Sequence, residues 1–254
     1  MDNKDIFAKV NEDNFLGATL DKESKQFRVY TNDMLINKIR RDSKKVEKSF
    51  DLLCENELRE LSIKYSKALY IIGDGCIGAA NLNDEVGLEC RNLLFNAIYS
   101  ITASIDLLRR GYILQPGMLL RSTIEVFSLI SYIKIDEEGF NNYKTGNYDI
   151  NKLIKYGKKV LPIIGRFQGF LSNQFVHISN LHSEYNNVIE YTEMNEPLRI
   201  NLDMIRLSII MIHIISEVVY FDYFEKHRFW KQRTSGEYEF INDNIIKDLG
   251  IEPD

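Results

Sequence analysis

Apolar residues recur at three- and four-residue steps through most of this chain, the period of helices that bury one face. From Met34 to Ile72 the marking residues are Leu35, Ile39, Val46, Phe50, Leu53 and Leu61. The glycines of GDGCIG, Gly73–Gly78, are expected to stop that helix as a C-terminal cap. A second long helix is predicted over Asp84–Arg110, with Leu93, Leu94, Ile98, Ile101, Ile105 and Leu108 on its core face. Asn83 or Asp84 would cap its start and Gly111 its end. After a tight connection Pro116 fits the first turn of a third helix, reaching Ile135. Two long helices joined so closely should pack antiparallel. Asp136–Asp149 is a polar break, and Asp149 can cap a short helix through Lys159. Pro162 opens another, to about His182, and the last major helix is predicted over Pro197–Arg233.

The flanks read differently. Residues 1–13 are charged and expected to be loose, and the short apolar runs Phe15–Leu20 and Gln26–Tyr30 suit either a small hairpin or a surface arm. The tail suits one or two amphipathic turns around Ile241–Leu249. No repeat or linker separates two domains. The expectation is an all-α protein, a single bundle of five to seven helices. It divides into an N-terminal arm or hairpin at 1–33, a bundle at 34–234, and a tail at 235–254 packed on or near the bundle.

Two helices break their own apolar pattern. Leu114–Ile135 is apolar nearly all round, yet Arg121, Glu125, Ser128 and Tyr132 fall at offsets of four, seven and eleven. At about 100° per residue these four lie within roughly 60° of one another. If enclosed, the Arg121–Glu125 pair would fix helix register, and removing one partner would cost roughly 3–5 kcal/mol. Ser172 and His177 stand on a later helix, where His177 could meet this stripe and serve as a Glu-oriented general base. In the last helix Arg206, His213 and Glu217 repeat the pattern at offsets of seven and eleven. Arg206 and His213 then lie about 10 Å apart along one face. Such a pair suits metal-free RNA cleavage across a dimer: arginine holds phosphate and histidine moves the 2′-hydroxyl proton. The structural alternative is a His213–Glu217 pair stitched into the bundle.

Composition narrows the classes without choosing among them. The 254 residues are 44% hydrophobic and 27% charged, ordinary for a soluble protein, and only four prolines and fourteen glycines interrupt them. A net charge of −5 argues against a wholly basic nucleic-acid coat but not against a local basic patch. One candidate patch is Lys226–Arg233, KHRFWKQR, where Lys226, Arg228, Lys231 and Arg233 could hold phosphates while Trp230 stacks on bases. The amphipathic end of a helix has the same composition. Lys38–Lys48 holds six basic and two acidic residues and reads as a solvated helix face. Cys54, Cys76 and Cys90 are sparse, as suits buried thiols in a reducing cytosol. No spacing calls for a metal or cofactor: the histidines lack HExxH spacing, and GDGCIG lacks the Lys-Ser/Thr of a phosphate loop. The N-terminus lacks the apolar core of a signal peptide, and charges interrupt Leu198–Trp230, so a cytoplasmic protein with no membrane span is expected.

Arg121-Ser122-Thr123-Ile124-Glu125 after two leucines, followed by Leu171-Ser172 and His177, resembles a group of bacterial all-helical proteins. Their mark is a Leu-x-Arg-Ser-x-x-Glu helix followed by a Ser-and-His helix. That group looks related to the HEPN superfamily. The resemblance spans roughly residues 85–220. It implies a homodimer, and either a ribonuclease or toxin-type effector of bacterial defence or a non-catalytic bundle. The superfamily's catalytic arginine, four to six residues and histidine is met in its longest form by Arg206 and His213, although Leu207 stands where a polar residue is usual. Two function classes therefore stand: a metal-independent endoribonuclease, with RNA as its partner, and a non-catalytic interaction or ligand-binding module within a defence complex.

Overall fold

The computed structural model describes residues 14–21, 26–185, 188–234 and 237–249. Strands β1 (Phe15–Asp21) and β2 (Gln26–Thr31) precede the short α1 (Met34–Asn37), which runs through a wide turn into α2 (Ser43–Leu53). The long helices follow: α3 (Glu55–Asn81), α4 (Glu85–Arg109) and α5 (Gln115–Ile135). Then come α6 (Gly139–Thr145), α7 (Ile150–Val160), α8 (Ile163–Leu171), α9 (Asn180–Glu184) and the long α10 (Glu196–Val219). Strands β3 (Trp230–Thr234) and β4 (Glu237–Phe240) and helix α11 (Asn242–Leu249) complete the order. The protein is mostly helical, with a two-stranded antiparallel hairpin before the helices and another after α10. Among the described residues no helix is long and apolar enough to cross a membrane.

The long apolar helices α5 and α10 are enclosed over much of their length, because burial offsets the cost of that much exposed hydrocarbon. Helix α5 lies between α4 on one side and α7, α8 and the turn after α8 on the other. Helix α10 lies against α3, α4 and α5 and buries Ile205, Ile209, Ile212 and Ile215. Their starts follow the capping rule: Asp84 accepts from the Gly87 amide, Asp149 from Asn151 and Asn195 from Leu198, each satisfying a first-turn N–H. Gly111, at φ +86°, turns the chain between α4 and α5.

The elements at Phe15–Thr31, Asp84–Arg110, Gln115–Ile135, Asp149–Lys159 and Ile241–Leu249 form where the sequence places them. Four expectations are corrected. Helix α3 does not stop at Gly73–Gly78 but runs on to Asn81. The reason is packing: Gly75 lies against the Tyr220 ring and Gly78 against Tyr223, so these glycines let aromatic rings touch the helix backbone. The stretch before α3 is broken at Cys54, which separates α2 from α3. The helix after Pro162 loosens into a π-turn over Ser172–Val176 and ends at His177. Helix α10 ends at Val219 rather than Arg233. Beyond it Glu217 accepts the backbone amides of Arg228 and Phe229, folding the chain back, and Lys226–Arg233 becomes a loop and strand. Among the described residues the helices exceed five to seven because 34–37, 139–145 and 180–184 form short helices of their own, Cys54 splits α2 from α3, and the tail adds α11. Residues 1–13, expected to be loose, lie outside the described residues.

Candidate functional site

On α10, His213 and Glu217 lie against the returning chain, Glu217 buried beneath it. Glu217 is 2% exposed. Its Oε1 accepts from the Arg228 amide at 2.8 Å and its Oε2 from Phe229 at 2.9 Å. His213 Nε2 sits 3.2 Å from the same Oε1. The imidazole meets the Phe229 ring edge to face at 5.0 Å. A buried carboxylate must be paired, and here two amides and an imidazole supply the partners. The result is a histidine whose ring orientation is fixed by a carboxylate that the fold itself holds.

His213 lines a cleft of 140 Å³ together with Lys64, Lys67, Arg228, Phe229 and Asp248. Arg228 is neutralised by a bidentate pair with Asp248, at 2.9 and 2.5 Å. Lys64 and Lys67 stand on α3 at the mouth. Arg206 does not line the cleft. Its guanidinium donates to Asp203 Oδ1 at 2.6 Å, one turn back on the same helix. The structure thus brings His213 and Glu217 together and leaves Arg206 apart. Sequence reasoning misses the two lysines, because cations on the polar side of an amphipathic helix look like any solvated face. Nothing in their spacing points to His213, which lies more than a hundred residues away.

The basic segment Lys226–Arg233 is rearranged in the same way. Trp230 is buried, its indole N–H donating to the Ile214 carbonyl at 3.2 Å and its ring packed on Phe240 at 5.0 Å. Little of it is left open for a base to stack on. Arg233 is held bidentate by Glu239 at 2.7 and 2.5 Å. Lys226 and Lys231 are exposed. The Lys38–Lys48 run lies elsewhere, lining a groove with Asp106, Arg110 and Tyr112.

The stripe of α5 divides along its length. Arg121 donates to Ser172 Oγ at 3.1 Å and pairs with Glu125, so the stripe meets Ser172 in place of the expected His177. Their side chains are 33% and 41% exposed, so the pair lies at the rim of the bundle rather than inside it. Ser128 is buried and turns its hydroxyl onto the Ile124 carbonyl. Tyr132 packs on Tyr156 at 4.7 Å and accepts from Asn142 at 3.0 Å. His177 is exposed at the end of the π-turn, where its backbone N–H bonds the Ser172 carbonyl at 3.0 Å. Among the described residues its ring does not reach Arg121 or Glu125. The π-turn is what separates them: the fifth-residue bond swings the chain out after Phe175, which is itself seated on Gly117.

The buried thiols are poor nucleophiles. Burial pushes Cys54 up to about 11 and Cys90 up to about 12. Comparison with protein-family models, curated proteins and solved structures finds no match to this chain.

Proposed function

We propose that this protein is a HEPN-like, non-catalytic helical interaction module of a bacterial defence complex. One observation carries this reading: the arginines and the aromatic ring of the predicted RNA site are committed within the chain. Arg206 is paired with Asp203, Arg228 with Asp248 and Arg233 with Glu239, and Trp230 is buried. A phosphate would have to compete with each of these carboxylates. The test is incubation of the purified chain with single-stranded and structured RNA in EDTA. The RNA should stay intact, to the same extent as with His213→Gln.

A second reading, a metal-independent endoribonuclease, draws on a different observation. His213 is oriented by buried Glu217 and lines a cleft with Lys64 and Lys67. In that reading His213 moves the 2′-hydroxyl proton, and the lysines hold the phosphate in place of Arg206. Cleavage in EDTA that disappears in a folded His213→Gln protein and weakens in Lys64→Ala would establish it and overturn the first reading.

A further inference from the structure

We propose that this protein holds a small amphipathic anion, an apolar body with one carboxylate head, in a pocket beside the end of α10. The pocket has a volume of 490 Å³, within the range of about 300–1,000 Å³ that small-molecule sites occupy. It lies where the last residues of α5 and α7 meet the last residues of α10 and the start of the returning chain. It shares no lining residue with the His213 cleft.

The wall fits the apolar body. Ile135, Val160, Val218, Val219, Phe221 and Trp230 supply it. Val219 and Trp230 are buried and close the floor, while Ile135 is 47% exposed. A lone exposed isoleucine is ordinary. One that shares a concavity with a buried tryptophan and a buried valine gains when a single apolar body covers them together.

The charges choose the head. Lys134, Lys159 and Asp222 line the pocket, two cations against one carboxylate. Lys134 and Lys159 stand in the last turns of α5 and α7, where a cation offsets the helix dipole. Lys134 does more than that. Its Nζ reaches across to α10 and donates to the Val219 carbonyl at 3.2 Å. That bond holds the ammonium at the pocket wall and covers a carbonyl that would repel an anion. An ammonium has three N–H donors, so two remain for a ligand. Lys159 lies over the Tyr156 ring at 5.5 Å, and among the described residues neither lysine has an ion pair. Contact with a ring face leaves the N–H donors of Lys159 in place. Asp222 is exposed and turns the anion toward the lysines.

A wholly apolar ligand would gain nothing from the two ammonium groups, and a cation would be repelled by them. A small anion with no apolar body would leave the floor uncovered. A monoanion carrying an alkyl or aromatic body answers both halves of the pocket. The site stands apart from the interaction module proposed above, and neither outcome of the RNA assay bears on it.

The experiment is isothermal titration calorimetry of the full chain with sodium octanoate, with naphthoate, octanol and acetate as further arms. Octanoate or naphthoate should bind at a single site with a dissociation constant of about 100 μM. The stronger of the two tells an alkyl body from an aromatic one. Octanol should bind about tenfold more weakly, and acetate should give no heat. Lys134→Met should weaken the carboxylate by about tenfold and leave octanol unchanged, the mark of a head-group contact rather than of a loosened fold. Lys159→Met should weaken it too, and Asp222→Asn should tighten it by about twofold. Val218→Trp, which fills the pocket, should abolish binding of both; the lysine and aspartate variants decide the matter if that protein does not fold. No heat from either carboxylate at millimolar concentration overturns the proposal. So does binding that octanol matches, or that both lysine variants leave unchanged.

Discussion

Two glycines in one helix, two residues apart, should respond oppositely to alanine. At Gly75 an added Cβ would fall 2.6 Å from Tyr220 Cβ and closer still to its ring. Tyr220 cannot give way cheaply, since it is fully buried and its hydroxyl donates to the Gly87 carbonyl at 3.1 Å. Moving it would disturb the same turn that Asp84 caps. Overpacking of this kind costs about 1–3 kcal/mol, against a helix-propensity gain of about 1 kcal/mol. The net effect of Gly75→Ala should be a loss of up to about 2 kcal/mol, the difference of those two, and contacts this close put it toward the upper end. At Gly73 the new methyl meets nothing, so only the propensity gain operates, about 0.5–1 kcal/mol. The assay is urea denaturation followed by far-ultraviolet circular dichroism, at a concentration where the chain is monomeric. Gly73→Ala should raise the midpoint and Gly75→Ala lower it, with similar slopes. If both raise the midpoint, the packing of Tyr220 on the α3 backbone is wrong, and so is the reason given for α3 continuing past its glycines.

Glu217→Leu should be among the most damaging single changes in α10, by about 3–5 kcal/mol, because it strands the buried Phe229 amide, the part-buried Arg228 amide and the His213 nitrogen; a loss under about 1 kcal/mol in chemical denaturation would refute that role. The Arg121–Glu125 pair is far more exposed, so a double-mutant cycle with Arg121→Ala and Glu125→Ala should give a coupling of at most about 1 kcal/mol. A coupling of several kcal/mol would return the pair to the interior. A thiol reagent at pH 8 should label half-buried Cys76 well before Cys54 and Cys90, whose thiols burial holds protonated there; simultaneous labelling of all three in the native protein would count against this packing.

Much of the architecture is local and could be read from the sequence. Apolar period, the capping residues Asp84 and Asp149, Pro116 in a first turn and Gly111 at a turn place α4, α5 and α7. Those signals act within a few residues, so one sequence displays them. The pairing of His213 with Glu217 was also legible, since four residues make one helical turn. Tertiary contacts decided the rest. Glycines at 75 and 78 carry a helix-stop signal in isolation, yet two tyrosine rings from beyond α10 make them helix interior. Lys226–Arg233 has a helix-end composition, but Glu217 captures its backbone amides and makes a loop and strand. The same long-range choices set which groups meet at the candidate site. Asp203, Asp248 and Glu239 neutralise the arginines. Lys64 and Lys67 arrive at His213 only because α3 packs beside α10. Spacing along one helix fixes what shares its face; which partner waits across that face is decided by the packing of segments far apart in the chain.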